Sequence, residues 1–427
     1  MATKSQTRTK YGWGVETVGV GRLRIGWYLL LLVLLSIGAY GGYLRITDGL
    51  QVTNLSSTVP WGAWVAFYIY FVGLSAGAFL VSALANVFDV EALHEVEREA
   101  LFVAVVSMLV ALTFVLVDLG QMDRLWHPFV WRQPLSVLSW EVHAYVLYVI
   151  VLLGELYFSM RRDLVRQRDS ADGLRSKLAG VLTLGRTDTT ETALATDRRW
   201  LKRLGIVGIP LAIVFVHGGT GSLYAVAATR EYWFSPLFPV LFITSAVVSG
   251  MALVALLYVL RTALTERSLD RSLLSRMAAL LAGFVVIDAS LKVLEAFISL
   301  YSLHPGEVGT WLTIMTGEMW WSFWIVMVGF GWIVPLVLLS RRSWRQNPRL
   351  VATASVSAVV GIVGTRFNIV VPPQVQPALD GLWAGYYVPS APEWMLSIGI
   401  IAFGALVYTL GTELLPLVPQ NGDSHDG

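Results

Sequence analysis

Residues 99–118 read EALFVAVVSMLVALTFVLVD, and no charged residue stands between Glu99 and Asp118. A helix of about 20 apolar residues is what crosses the roughly 30 Å hydrocarbon core of a bilayer. The composition of the whole chain agrees, because 56% of its 427 residues are hydrophobic and only 14% are charged. Soluble domains carry about 25% charged residues. We therefore expect an integral membrane protein built from α-helices.

Nine further segments have the length and polarity of a membrane span. The ten predicted spans are 25–44, 61–87, 99–118, 137–160, 203–226, 236–261, 274–301, 319–340, 350–367 and 393–417. No small-residue cleavage site follows the first, so we expect it to be a permanent span rather than a signal peptide. The predicted fold class is an all-α polytopic membrane protein with about ten transmembrane helices, in a single integral membrane domain over residues 1–427.

The basic residues predict the orientation of the chain, because cytoplasmic loops retain Lys and Arg. With the N-terminus inside, 25 of the 31 basic residues lie in or beside the inner loops. The outer loops hold Arg45, Arg124, Arg132, Arg230 and Arg366, and Lys292 falls inside the seventh span. We expect a multi-pass protein of the cytoplasmic membrane with both termini inside.

The loops divide into two kinds. The segment 161–202 is polar and rich in Arg, Asp and Thr, which predicts a mobile cytoplasmic loop too short for a catalytic module. The outer loops 119–136, 302–318 and 368–392 are rich in Trp, Pro and Tyr, which is typical of interfacial caps or partner-docking surfaces. The net charge of only +2 does not indicate nucleic-acid binding. The outer side is therefore the predicted working side.

Three ionisable residues fall inside the seventh span: Asp288, Lys292 and Glu295. Spacings of four and three residues place them on one helical face. Charges within a span are expensive, so each is a functional candidate. The strip has two interpretations, an ion-pair group that only satisfies itself or a proton pathway, and we favour the pathway.

A second polar set lies at the predicted outer ends of the spans. An apolar, aromatic site with His and Glu to accept protons and Arg or Asn to hold a carbonyl oxygen is what a quinone or quinol requires. The candidate quinone-binding residues are His127, Trp140, Glu141, His143, His217, Arg366 and Asn368, and Asp118 joins the candidate proton pathway. We expect the glycines in His217-Gly-Gly-Thr-Gly-Ser222 to let a ligand approach the backbone.

Cysteine is absent from the sequence. The chain has no thiolates with which to hold zinc or an iron–sulfur cluster. Electrons that leave a quinol bound here must therefore pass to a cluster in another subunit, docked on the outer side.

At these residues the chain resembles the polysulfide reductase membrane-subunit family, also called the NrfD/PsrC family, and within it the ten-span branch that includes the hydrogenase quinone-reactive subunit. The segments that carry the resemblance run from the second span to the tenth. They are Trp61-Gly-Ala-Trp64, Gly73-Leu-Ser-Ala-Gly77, Asp118-Leu-Gly to His127, Pro134 to Trp140, His217 to Ser222, Pro236-Leu-Phe-Pro239 leading to Ser245, Arg366-Phe-Asn368, and Tyr387 to Trp394.

The resemblance implies two four-helix bundles, spans 2–5 and 6–9, flanked by spans 1 and 10. It implies a membrane anchor that binds quinone or quinol without haem and exchanges electrons with a ferredoxin-like iron–sulfur subunit. That subunit would serve a molybdopterin or other catalytic subunit. Carried onto this sequence, the quinone site would lie near His127, Trp140, Glu141, His217 and Arg366.

Two other classes remain as alternatives. A haem b-bearing cytochrome subunit is possible in principle because His143 and His217 are on neighbouring segments at similar predicted depth, enough for one haem. A secondary transporter would explain the ionisable residues of the seventh span, although transporters usually place their broken helices near the midplane.

Overall fold

The computed structural model describes residues 17–265, 268–377 and 381–418, and their side chains from residue 21 onward. All regular structure in these ranges is helical, and ten helices are long and apolar enough to cross a membrane. In chain order the ten spans are Gly21–Val52, Ala63–Asn86, Glu97–Asp118, Val137–Ser170, Glu191–Ala225, Phe238–Leu264, Arg271–Ser302, Ser322–Leu339, Pro348–Val375 and Ala391–Leu414. The prediction of an all-α chain with ten spans is confirmed, and the protein is a multi-pass integral membrane protein.

Side-chain caps stand at the starts of several spans. Ser136, Thr190, Asp270 and Asn347 each accept a hydrogen bond from a backbone N–H of the first turn that follows. The tenth span begins with a capping box, in which Ser390 accepts from the N–H of Glu393 and the Glu393 side chain accepts from the N–H of Ser390. Such caps satisfy donors that a helix end leaves free.

Pairs of glycines fix the closest approaches between spans. Spans 2 and 6 cross where Gly77 lies against Gly250, and a Cβ on Gly77 would overlap the carbonyl oxygen of Ala246. Spans 1 and 10 cross at Gly38 and Gly399 in the same way. Small residues allow this because helix association in a membrane depends on close packing rather than on a hydrophobic force. Spans 2 and 6 therefore form a rigid centre.

The segment 161–202 differs from the expected mobile loop. The fourth span continues to Ser170, a helix follows over Leu174–Leu182, and the fifth span already begins at Glu191. Arg161 is fully buried and ties the segment down, because its guanidinium donates to Asp197 Oδ2 and to the carbonyl oxygen of Asp188, both at 2.5 Å. The polarity of this stretch serves buried ion pairs as well as solvent.

The fifth span contains a π-helical turn over Leu211–His217, directly after Pro210. Proline lacks an N–H and its ring crowds the preceding turn, which disrupts the regular ladder. π-Helical turns are rare and often occur at functional sites. This one ends at His217, one of the predicted site residues.

Candidate functional site

A buried carboxylate lies between spans 2, 4 and 5. Glu141 is 2% exposed, and its Oε1 accepts hydrogen bonds from Tyr68 at 3.3 Å, from Thr220 at 2.5 Å and from Tyr145. Tyr145 and Thr220 are also within 3.0 Å of each other. Three hydroxyl groups thus converge on one carboxylate oxygen, and each can donate or relay a proton.

A second polar group is built around His217, which lies one turn before Thr220 on the fifth span. His217 Nε2 is 3.2 Å from Arg366 Nη2, which also donates to Ser245 Oγ at 2.6 Å. All three side chains are buried, and they come from spans 5, 9 and 6. Because a guanidinium only donates, Nε2 of the imidazole must be the acceptor, which assigns the ring hydrogen to Nδ1.

Aromatic rings pack around the arginine of the second group. The Arg366 guanidinium stands 4.5 Å over the ring of Phe242, and the Tyr224 ring packs on the same Phe242 at 5.6 Å between centroids. Tyr224 in turn contacts Trp61 and Trp233, at 5.7 and 5.1 Å. We call Glu141, His217, Arg366 and the residues that touch them the buried polar centre.

Gly73 of the second span closes the buried polar centre on one side. A Cβ built on Gly73 would lie 3.1 Å from His217 Cε1 and 3.4 Å from Arg366 Nη2. A contact of this length forces a neighbour to shift by a few tenths of an ångström. Glycine therefore leaves the space into which the histidine and arginine side chains approach.

Several polar atoms of the centre are buried without a protein partner. Within the described residues, Nδ1 of His217 and Nε and Nη1 of Arg366 lack a hydrogen-bond partner, and so does Oδ1 of Asn368, two residues beyond Arg366 on the ninth span. Native proteins leave few such atoms, and an unpaired buried donor costs about 1–3 kcal/mol. Free guanidinium donors are what a carbonyl oxygen of a bound molecule would use.

The three other predicted quinone ligands lie apart from this centre, near the start of the fourth span. His127 packs between Trp126 and Trp131, and its ring contacts both at centroid distances under 5 Å. His143 Nδ1 donates to the carbonyl oxygen of Ser139, 2.7 Å away, and Trp140 is 60% exposed. We call this group the aromatic cap. The structure thus divides the predicted single site in two.

The seventh-span strip forms as its spacing predicts. Lys292 Nζ donates to both oxygens of Asp288 at 2.6 and 2.7 Å, and Trp332 Nε1 approaches the same carboxylate at 3.3 Å. Glu295 is 6% exposed. The pair is buried, which makes it costly unless both charges are satisfied together.

A narrow cleft of about 20 Å³, room for about one water molecule, connects the strip with the ninth span. Lys292 and Glu295 line it from one side, and Thr365 and Asn368 from the other. Two residues of the predicted proton pathway and one predicted quinone ligand, Asn368, therefore line the same cleft. Asp118 is elsewhere, half-buried at the end of the third span, where Arg45 donates to the carbonyls of Val117 and Leu119.

Two of the three glycines after His217, Gly218 and Gly221, pack tightly against other backbone atoms of the chain. A Cβ on Gly218 would overlap the carbonyl oxygen of Ile213, five residues earlier, because the π-helical turn brings that carbonyl inward. A Cβ on Gly221 would meet the backbone of Pro239 at 2.6 Å. The close approach is to the chain's own backbone.

Tyr68, Tyr145 and Ser245 were absent from the predicted site. Tyr145 follows Glu141 by four residues, a spacing that places both on one helical face and makes the contact foreseeable. Tyr68 and Ser245 reach the site through tertiary packing of other spans, for which the sequence carries no local signal.

The two histidines of the haem alternative belong to separate groups. His143 lies in the aromatic cap, with its ring 5.3 Å from that of Phe129, whereas His217 is engaged with Arg366 in the buried polar centre. Among the residues that the structure describes, no group of three or more His, Asp or Glu side chains could hold a metal ion.

The fold and the buried polar centre define a ten-span membrane protein with ionisable groups inside its helical bundle. The family model described as polysulphide reductase, NrfD, matches residues 51–378. The chain belongs to this family, which confirms the resemblance seen in its motifs.

Several relatives match nearly the whole chain. It is similar to a subunit of the selenate reductase of Mesobacillus selenatarsenatis, with 37% identity across 93% of this chain and 96% of the relative. It is 27% identical to the Hdr-like menaquinol oxidoreductase integral membrane subunit of Archaeoglobus fulgidus, over 93% and 95% of the two chains. It is 25% identical to the menaquinone reductase integral membrane subunit of Nitratidesulfovibrio vulgaris, over 93% and 92%. These relatives are membrane subunits of reductase complexes.

Proposed function

We propose that this chain is the quinone- and quinol-binding membrane anchor of a respiratory oxidoreductase complex. It exchanges electrons between the membrane quinone pool and an iron–sulfur subunit on the outer side. The observation that carries the proposal is the buried polar centre, in which His217 contacts an arginine with unused donors and Glu141 accepts from Thr220, one turn further along the same span. The names of two relatives, a menaquinol oxidoreductase and a menaquinone reductase, support it.

The residues present fit a quinone ring. Nε and Nη1 of Arg366 are buried donors without a protein partner, suited to one carbonyl oxygen. His217 and the Glu141 carboxylate supply sites for the two protons that accompany two-electron reduction of a quinone. Phe242, Tyr224 and Trp61 provide the apolar, aromatic surround that small-molecule sites generally have.

Within this centre each side chain has a distinct role. Arg366 orients the ring oxygen, and Ser245 holds Arg366 in place. Tyr68, Tyr145 and Thr220 hold Glu141 and form a chain of hydroxyl groups through which a proton can pass. In the second half of the chain, Asp288, Lys292 and Glu295, reached through the cleft beside Asn368, extend the proton pathway. Asp118, at the end of the third span, is a separate candidate for proton transfer near the outer side.

The aromatic cap suits docking of a partner and passage of the ring toward the buried polar centre. Trp131 and Trp140 are each about 60% exposed, and Leu135 is fully exposed. All three lie at the ends of the spans rather than along them, where a partner subunit can reach them. We propose that the ferredoxin-like subunit binds here and passes electrons to a molybdopterin or other catalytic subunit. The chain itself has no cysteine for a cluster. In this arrangement, the distribution of basic residues assigns both termini to the inner side of the cell membrane.

The test uses the purified complex that contains this chain. We expect Glu141→Gln and His217→Gln to lower quinol-dependent turnover at least 100-fold, in the range typical of lost acid–base groups. Reduction of the catalytic subunit by a dye should be unchanged, and His304→Gln, in an exposed loop, is the control.

Two outcomes would contradict the proposal. If both variants retained full quinol turnover, the buried polar centre would not be the site. If only His127→Gln and His143→Gln abolished turnover, the ring would bind at the aromatic cap. An absorption spectrum with a reduced b-type band would instead support the cytochrome alternative.

A further inference from the structure

A second buried carboxylate, Glu155, lies in the fourth span, toward the predicted inner side of the membrane, whereas Glu141 lies toward the predicted outer side. Glu155 is 0% exposed, and within the described part of the chain neither of its carboxylate oxygens has a hydrogen-bond partner. Gly205 of the fifth span borders it, since a Cβ there would lie 3.9–4.0 Å from both oxygens. An unpaired acid in such a place costs several kcal/mol, and a residue kept at that cost is a functional candidate.

Glu155 shares a helical face with the acid of the buried polar centre. Glu141, Tyr145, Tyr148 and Glu155 follow one another at spacings of four, three and seven residues, which keeps all four on one side of the helix. All four are buried. Fourteen residues at about 1.5 Å each separate the two carboxylates by about 21 Å along the axis, roughly two-thirds of the hydrocarbon core.

Further proton-bearing groups lie beside Tyr148, in the middle of this face, and beyond Glu155 at its predicted inner end. The Tyr148 hydroxyl donates to the carbonyl of Ser75 at 3.1 Å and lies 3.4 Å from Ser75 Oγ. Toward the predicted inner end, Glu97 is the charged group close enough to interact electrostatically with Glu155. The Glu97 carboxylate is 2.7 Å from Nδ1 of the half-buried His94, which connects the row with the loop between spans 2 and 3.

We propose that Glu155 carries protons between the predicted inner side and Glu141, along this face of the fourth span. The inference rests on the proposed quinone chemistry at Glu141. Reduction of a quinone takes up two electrons, supplied by the iron–sulfur partner, and two protons, and oxidation of the quinol reverses both transfers. Protons that pass through Glu155 are exchanged with the inner compartment, while the electrons are exchanged with the outer partner. Turnover then moves charge across the membrane.

Val151 and Leu152 are the apolar side chains on this face between Tyr148 and Glu155, and both are buried. The proton must cross this turn, so the path has one apolar constriction. The path is distinct from the strip of Asp288, Lys292 and Glu295, which lies on the seventh span.

The experiment uses the whole complex in liposomes with a pH-sensitive dye inside and a quinone pool in the bilayer. In wild type and in the control Asp172→Asn, an exposed acid of the same predicted side, turnover should change the internal proton count. In Glu155→Gln we expect normal electron transfer in the first turnover, a steady-state rate at least tenfold lower, and no internal proton change. Glu155→Asp should restore part of both.

Tyr148→Phe keeps the ring and removes only the hydroxyl, and it should lower the same two readouts by several fold, so it carries the test if Glu155→Gln does not assemble. If Glu155→Gln had the wild-type rate and the wild-type change in internal protons while Glu141→Gln was inactive, the path would be overturned and the quinone site would stand. Full turnover in Glu141→Gln would overturn the quinone site itself.

Discussion

Arg366 and His217 are 149 residues apart in the chain, and their side chains meet at 3.2 Å inside the bundle. The arginine comes from the ninth span and the histidine from the fifth, so the contact joins the two halves of the protein. A guanidinium that donates to the ring nitrogen keeps the imidazole neutral with its hydrogen on Nδ1. A neutral histidine can accept a proton, as a quinol site requires.

Replacement of Arg366 by lysine should disable the site although the charge is kept. Lysine cannot reach both His217 and Ser245 with a planar fork, and each buried hydrogen bond lost costs about 1–3 kcal/mol, or roughly 5- to 150-fold. We expect quinol-dependent turnover of the complex to fall by at least tenfold in Arg366→Lys and by less in Ser245→Ala. Equal activity of Arg366→Lys and wild type would show that the fork is not used.

Addition of a single methyl group at Gly73 should disturb the same pair. In Gly73→Ala the new carbon would press on His217 Cε1 at 3.1 Å, and we expect a several-fold rise in KM for quinol with normal assembly. Gly42→Ala is a matched control, because its new carbon would meet only Leu396 at an ordinary 3.6 Å. If the two variants behaved alike in steady-state assays, the close approach would have no functional role.

In the ion pair of the seventh span, loss of one partner should destabilise the protein more than replacement of both partners. Removing one partner of a buried pair typically costs about 3–5 kcal/mol, whereas replacing both by apolar residues is often neutral. Lys292→Met should therefore lower the thermal stability of the purified protein, and Asp288→Leu combined with Lys292→Met should recover it. If the strip also conducts protons, the stable double variant should have fewer protons translocated per electron, measured in liposomes.

A pH effect on stability is expected from His94, which lies between the second and third spans. The hydrogen bond to Glu97 raises the pKa of His94 above its ordinary value of 6.5, against the opposing effect of burial. A raised pKa in the folded state means that the stabilisation is complete below the unfolded value and is lost as pH rises through the folded one. The unfolding temperature of the wild type should therefore fall as the pH rises above 6.5 and through the raised pKa of His94. The unfolding temperature of His94→Gln should depend less on pH over the same range. Curves of the same slope would refute the link.

The buried Arg161 should hold the segment between the fourth and fifth spans in place. Arg161→Met leaves Asp197 buried without this partner and releases the carbonyl of Asp188. We expect a protease specific for acidic residues to cut near Asp188 and Glu191 at least tenfold faster than in wild type. Arg175→Met, at an exposed position of the same segment, should be cut at the wild-type rate.

Much of this fold was predictable because its determinants are local. Hydrophobic length alone identified ten spans, and the spacing of Asp288 and Lys292 identified their contact. The site was predictable only in part. Glu141, His217 and Arg366 were identified as polar residues in an apolar setting, but their separation from His127 and His143 depends on helix rotation. Because Glu141 faces the bundle, His143, two residues further along the helix, must face away.

The residues that sequence reasoning missed share a physical reason. Tyr68 and Ser245 reach the site through long-range packing, and hydroxyl groups in spans carry no charge to mark them. Glu155 is charged but stands near the end of an apolar stretch, where it is indistinguishable from a residue that reaches water. The helices within residues 161–202 were not foreseen, because Arg161 is buried by tertiary contacts that composition does not reveal.

The π-helical turn before His217 makes the site sensitive to chain length as well as to residue identity. Each residue turns an α-helix by about 100°, so the wider turn over Leu211–His217 rotates everything after it relative to the start of the fifth span. Deletion of one residue from this turn would restore a regular helix and swing His217 and Thr220 away from Arg366 and Glu141. Such a deletion removes no side chain of the site, yet it would be more damaging than most substitutions.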